Sequence, residues 1–403
     1  MNLSRAEGIR RSVCLFVAFF DNLAIAMVIP WLSSIAAHSG AEPGRWVHVL
    51  VVNGVFLTIA PFFWGRLITP LNAGKVAATT LIAKALCTAT LVFAFNSWAW
   101  LLVNRAISGA MSGTTLATRL WLVTRFPERA SRTRRIAEFS MAGSAGIGLS
   151  ALLAAPFLWP EGGAVHGIKL MLIAVATVLL ATSALAYLLL RNKLRRSSNP
   201  KAEARLPLKN GASQDIGIAD AVATLGAHTL SRVCVCAYPS VLLLVAEQDG
   251  RLTEAFVAML IGLLAFFEIP GQFLVPRLIL KLGYRSTGTL FSFLCGMGVA
   301  IPFVSLSPSA VALSAALVAL MGGSLQSVLG IYLTELKAEK MAPWFGASQG
   351  MTGAARTAAP LAASLAFSFG TQPAFLALVV PMLLALLCFG SIQRDSAIAP
   401  ARG

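Results

Sequence analysis

Long apolar runs, each ended by a short polar or turn-forming stretch, follow one another along almost the whole chain. Val13 to Ile35, Trp46 to Ile68 and Pro373 to Ser391 are three of them. A helix of about 20 apolar residues spans roughly 30 Å, the thickness of a bilayer's hydrocarbon core. The runs are continuous rather than alternating between two faces, which excludes a membrane β-barrel. Breaks at turn residues and charges predict twelve helices, over 12–37, 46–69, 75–95, 99–123, 136–159, 167–190, 216–245, 255–280, 286–305, 310–334, 344–369 and 373–392. The pattern therefore predicts an all-α membrane protein with twelve transmembrane helices.

Composition sharpens this picture. The 403 residues are 57% hydrophobic and only 12% charged, against about 25% charged in an ordinary soluble domain, so a water-soluble enzyme is excluded. Lys and Arg number 32 against 16 Asp and Glu, a net charge of +16. In a soluble chain that excess suggests nucleic acid. Here its position gives another cause, because short cytoplasmic loops retain Lys and Arg. With the N-terminus inside, the predicted cytoplasmic segments collect Arg10, Arg11, Arg125, Arg129, Arg132, Arg134, Arg135 and the basic run from Arg191 to Lys209, while the outer loops hold only Arg45, Lys169 and Arg251. A multi-pass protein of the inner (plasma) membrane with both termini cytoplasmic is expected, its partners the lipid bilayer and not nucleic acid. Arg10 and Arg11 precede an apolar run too long for a signal peptide, so the run is read as a retained first helix. The six cysteines lie in apolar spans, which argues against a disulfide framework, and Cys234 and Cys236 lack a second ligand pair for a metal.

The longest polar stretch, 191–215, carries Pro200, Pro207 and a Ser197-Ser198-Asn199 run, and is read as a cytoplasmic linker between residues 1–190 and 216–403. The two halves echo each other. Arg66-Leu67-Ile68 and Leu71 recur as Arg277-Leu278-Ile279 and Leu282, and Ser144, Gly146, Ala151, Ala154, Ala155 and Pro156 recur as Ser348, Gly350, Ala355, Ala358, Ala359 and Pro360. Such internal repetition marks transporters built from repeated bundles.

These features, with several short motifs in order, resemble the major facilitator superfamily, and within it the twelve-helix proton-coupled drug and metabolite exporters. The first helix reads Asp21-Asn22-Leu23-Ala24-Ile25-Ala26-Met27-Val28-Ile29-Pro30, similar to the family's acid followed nine residues later by proline. Gly65 to Lys75 occupies the place of the family's G-x-L-[AS]-D-[RK]-x-G-R-[RK] loop, with Thr69 for its aspartate and Asn72 for its second glycine. Arg105-Ala106-Ile107-Ser108-Gly109 is similar to R-x-x-Q-G with serine for glutamine, and Gly146 to Pro156 keeps the small-residue spacing of the antiporter motif without its Gly-Pro pair. The resemblance implies two pseudo-symmetric six-helix bundles, the major facilitator fold, that rock about a midplane site.

Charges inside the spans are the candidate machinery, because an unpaired ion in hydrocarbon is costly. Asp21 is expected to be a proton-coupling acid tuned by Arg105, if the first and fourth helices adjoin as the resemblance implies; the alternative is a purely structural Asp21–Arg105 pair. Glu268, in the middle of the eighth helix, is the second coupling acid, since an apolar setting favours its neutral form and a nearby arginine its charged form; the alternative is a carboxylate that caps backbone freed by Pro270. The resemblance makes the seventh and eleventh helices cavity liners, so His228, Arg232 and Arg356 join Arg105 as candidate substrate contacts, arginine being suited to carboxylates. Phe20, Tyr238 and Phe267 are candidate apolar wall residues, and helix packing is their plainer reading. Lys84, on a helix the resemblance makes peripheral, is expected to be structural or to snorkel.

No phosphate loop, nucleophile, metal cluster or catalytic dyad occurs, so neither an enzyme nor a cofactor is expected. The glycine-rich stretches Gly143 to Gly148 and Gly346 to Gly353 are read as seams that permit close, sliding helix contact. The reading is a monomeric secondary active transporter, a proton-coupled exporter of a small amphipathic, zwitterionic or carboxylate-bearing molecule such as an antibiotic, metabolite or siderophore. Proton symport or facilitated uptake of an organic anion is the alternative, and a non-transporting membrane receptor is a remote one.

Overall fold

A computed structural model describes residues 3–41, 46–126, 128–154, 164–190, 218–249, 252–336 and 338–392. The predicted linker 191–215, the 155–159 end of the fifth predicted helix, and Arg45, Arg251, Arg394 and Arg402 lie outside the described residues.

Every element among the described residues is helical. The first helix runs Leu3–Val28, tightens into a 3₁₀ turn at Ile29–Trp31 and continues as Leu32–His38. Pro30 lies in that turn, where a residue without an N–H interrupts the ladder least. The second is Trp46–Leu67 and the third Ala73–Thr90 with a 3₁₀ tail, Leu91–Asn96. Ser97 caps the fourth by accepting from Trp100 N at 3.2 Å, and a turn at Met111 and Ser112 divides that helix into Trp98–Ala110 and Gly113–Arg125. The fifth and sixth are Arg129–Ala154 and Ala164–Leu190, and the seventh is Ile218–Asp249.

The eighth and ninth helices form one continuous element, Glu254–Val304, bent at Gly283, whose φ of 83° is costly for any residue with a Cβ. The break predicted between 280 and 286 falls there. The tenth is Pro308–Leu317, a π-helical turn Val318–Gly323, and Leu325–Leu333. The eleventh is Ala338–Phe367 and the twelfth Thr371–Gly390. Nine elements among the described residues are long and apolar enough to cross a membrane, one of them holding both the eighth and ninth helices. The divided fourth helix and the eleventh are not among them.

The chain forms two compact units, residues 1–215 with 334–350 and residues 216–333 with 351–403. In the first, small residues let helices approach through their backbones. Gly146 lets the fifth helix lie on the first, since a Cβ there would overlap the carbonyl of Phe19. Arg11 Nη2 meets Glu138 Oε1 at 2.7 Å and ties the same two helices at one end. Gly65 on the second helix faces Ala342 and Gly346, so residues 334–350 pack with the first unit. In the second unit Gly271 performs the same service, lying against the Leu320 carbonyl in the π-helical turn. The outer surfaces are apolar: Leu188, Leu365 and Leu387 are 71%, 68% and 65% exposed, which in water would be an aggregation hazard and in a bilayer is the solvated state. All six cysteines are free.

The close approach at Gly271 has a measurable consequence. Gly271→Ala should cost about 1–3 kcal/mol by forcing the eighth and tenth helices apart, seen as a lower melting midpoint in detergent. Gly226→Ala, where the added methyl meets only Cys388 Sγ at an ordinary 3.9 Å, should leave the midpoint unchanged or raise it.

Candidate functional site

Asp21 is buried, as expected, and its partner is not Arg105. Lys84 Nζ lies 2.6 Å from Asp21 Oδ1, and Thr115 Oγ1 donates to Asp21 Oδ2 at 3.1 Å. Lysine, carboxylate and hydroxyl come from the third, first and fourth helices. The third helix packs chiefly on the sixth and on the Gly113–Arg125 piece of the fourth, so the long lysine stem spans the remaining distance to the first helix. That length lets Lys84, expected to be structural or to snorkel, point inward and take the structural role. Its ammonium and the carboxylate are 5% and 1% exposed, so each neutralises the other in a dry setting.

Arg105 sits on the first piece of the fourth helix and turns to its own neighbour. Its Nε and Nη2 donate to Asn104 Oδ1 at 3.4 and 3.1 Å, and Asn104 Nδ2 donates to the Cys87 carbonyl at 2.6 Å. The guanidinium is buried without an acidic partner among the described residues. The sequence expectation of an Asp21–Arg105 pair is therefore corrected: the acid pairs with Lys84 on the third helix, while Arg105 bonds its own neighbour Asn104.

The second unit brings two predicted residues, Arg232 and Glu268, together at Gly323. Arg232, on the seventh helix, is 6% exposed; its Nη2 donates to Gln326 Oε1 on the tenth helix and reaches the Gly323 carbonyl at 3.5 Å. Its buried Nε has no hydrogen-bond partner. Glu268 is part-buried on the eighth helix, accepts from Gln272 Nε2 at 3.4 Å, and lies over Gly323, where a Cβ would overlap its side chain. Arg356, on the eleventh helix, is exposed. The π-helical turn sets this geometry: Gly322 and Gly323 end it, clearing space for Glu268, and Gln326 follows one residue into the next α-helical segment.

The other predicted contacts are occupied in packing. His228 Nε2 lies 3.1 Å from Thr352 Oγ1 and the residue is buried. Tyr238 is fully buried, its hydroxyl 2.6 Å from Ser314 Oγ and its ring 6.1 Å from that of Phe375, so it joins helices instead of lining a wall. Phe20 and Phe267 are half-buried, and Phe20 meets Phe19 edge-on at 5.0 Å and stacks on Phe16 at 6.2 Å. Sequence reasoning missed Gln326, Gly323 and Thr115. The adjacent glycines Gly322-Gly323 inside an apolar span were the available signal for the first two; nothing local marks Thr115.

The Asp21–Lys84 pair makes its own prediction. Lys84→Met alone should destabilise the protein by about 3–5 kcal/mol, because it strands a buried carboxylate, whereas Lys84→Met combined with Asp21→Leu should recover most of that loss. Melting midpoints of the two single variants and the double variant check it.

The sequence matches the profile of the Major Facilitator Superfamily over residues 12–225, more than half of the chain. Comparison with curated proteins by sequence gives no match. Among solved structures, the fold is similar to the human organic anion transporter MFSD10 (TM-score 0.75, 16% identity, 96% of this chain and 100% of that one). It is also similar to the transporter FucP in its outward conformation (0.70, 15%, 96% and 98%) and to the proton:xylose symporter XylE (0.72, 13%, 96% and 95%). A chain of membrane-spanning helices, matched over its first half by the family's profile and over nearly its whole length by the family's fold, belongs to the major facilitator superfamily of membrane transporters.

Proposed function

We propose that the chain is a secondary transporter that carries a small carboxylate-bearing solute by alternating access and couples it to protons through Glu268. The observation that supports this is Arg232. Its guanidinium is buried, its Nε lacks a partner, and it is held by a neutral glutamine in place of an acid. A planar carboxylate is the ligand whose two oxygens match that fork. The exposed Arg356 lies near enough to add a second positive charge. An organic anion transporter and a proton:xylose symporter use the same fold.

Glu268 is the coupling acid in this reading because it is part-buried and beside the arginines. Asp21 leaves that role, since it is sealed and paired with Lys84. The bundles 1–190 and 216–403 rock about the site, the protein sits in the inner membrane with both termini cytoplasmic, and it performs no enzymatic step. Export by proton exchange and uptake by symport both remain open to a carrier of this kind. They differ in whether proton and solute occupy the site in turn or together.

Substitution at Arg232 tests the proposal in proteoliposomes. Against a panel of labelled monocarboxylates, Arg232→Gln should lower kcat/KM at least about a hundredfold and Arg232→Lys about tenfold, because lysine keeps the charge and loses the fork. The melting midpoint should stay near that of the parent for both. A wild-type protein that moves cations and no carboxylate would end this reading.

A further inference from the structure

Resting on the carboxylate reading above, we propose that Gln326 selects among carboxylates, so that the preferred solute is a 2-hydroxy or 2-oxo acid and not a plain alkyl acid. A guanidinium carries donors only, so the Gln326 carboxamide has to present its oxygen to Arg232 Nη2. That contact fixes which way round the amide lies and turns Gln326 Nε2 away from the arginine. Among the described residues neither Gln326 Nε2 nor Arg232 Nη1 has a hydrogen-bond partner, and neither belongs with the sealed polar atoms, as Arg232 Nε does. Both donors therefore face open space, on either side of the bond that joins their side chains. Gln326 is half-buried, in the first turn of the helix that follows the π-helical turn, so its backbone is held while its amide edge stays reachable.

Two open donors joined by a single hydrogen bond match two acceptors on neighbouring carbons. The solute carboxylate meets the guanidinium at Nη1, and an oxygen on C2 accepts from Gln326 Nε2. An oxygen on C3 is carried farther from the carboxylate and loses this register. A plain alkyl acid covers Nε2 and gives it no acceptor, and a donor stripped of water without a partner weakens binding. Glutamine is the side chain of this length that serves both tasks. A glutamate would neutralise Arg232 from within the protein and bring no N–H, while a leucine would leave the charge and remove the selection.

Calorimetric titration of the purified full-length protein at neutral pH tests this, with the sodium salts of butyrate, 2-hydroxybutyrate, 2-oxobutyrate and 3-hydroxybutyrate as probes. Both 2-substituted acids should bind the wild type about tenfold more tightly than butyrate, the worth of one good hydrogen bond, and 3-hydroxybutyrate should bind like butyrate. In Gln326→Leu the ratio of 2-hydroxybutyrate to butyrate affinity should collapse to about one, whatever the affinities themselves, a change that loosened packing alone does not produce. Gln326→Glu should bind every probe at least about a hundredfold more weakly while its melting midpoint shows it folded. Equal affinities in the wild type, a preference for the 3-hydroxy acid, selectivity that survives Gln326→Leu, or undiminished binding by Gln326→Glu overturns the role of Gln326 and leaves the carrier reading standing. If none of the probes binds the wild type, the carboxylate reading beneath it fails as well.

Discussion

A charge inside hydrocarbon has to be neutralised by something, and that requirement organises this molecule. Backbone groups meet it by helix formation, which is why every described element is helical. Side chains meet it in two different ways. In the first unit Lys84, Asp21 and Thr115 satisfy one another within a dry core. In the second, Arg232 donates to a neutral glutamine, its buried Nε has no hydrogen-bond partner among the described residues, and Glu268 lies beside it over Gly323. The first arrangement is closed and serves the bundle. In the proposed reading, a solute carboxylate meets the buried guanidinium of the second.

The same contrast explains how glycines are spent. At Gly146 and Gly65 the missing side chain buys close backbone approach and nothing more. At Gly323 it makes room for a carboxylate, and the π-helical turn that ends there places Gln326 on Arg232. Packing and chemistry share one irregular stretch of the tenth helix, and irregular turns of this type recur at functional sites.

Much of the fold was legible in the sequence because hydrocarbon thickness and turn chemistry act locally. The break predicted between 280 and 286 lies at Gly283, where a single residue's backbone preference dictates it. The pairing of Asp21 was not legible. Depth along a helix is readable from residue counts, but which face a side chain takes, and how far it reaches, depends on helices distant in sequence. Counted along the predicted helices, Lys84 lies at the same depth as Asp21, and only packing shows which face it takes and that it arrives. Tyr238 shows the same ambiguity: an aromatic with a hydroxyl suits a binding wall and a buried bond to Ser314 equally well, and the plainer packing reading is the one its contacts match. Arg232, Glu268 and Arg356 were identifiable singly as charges out of place, whereas Gln326 is an ordinary residue until the structure sets it on the arginine.

A lipid-soluble carbodiimide reacts with protonated carboxyls in apolar surroundings and so separates the two acids. With the wild-type protein in membranes at pH 5.5, followed by peptide mapping by mass spectrometry, modification should fall on Glu268 and spare Asp21, which is paired with Lys84 and closed off by its neighbours. Modification of Asp21 with Glu268 untouched would contradict the division between a sealed pair and an open site on which this account is built.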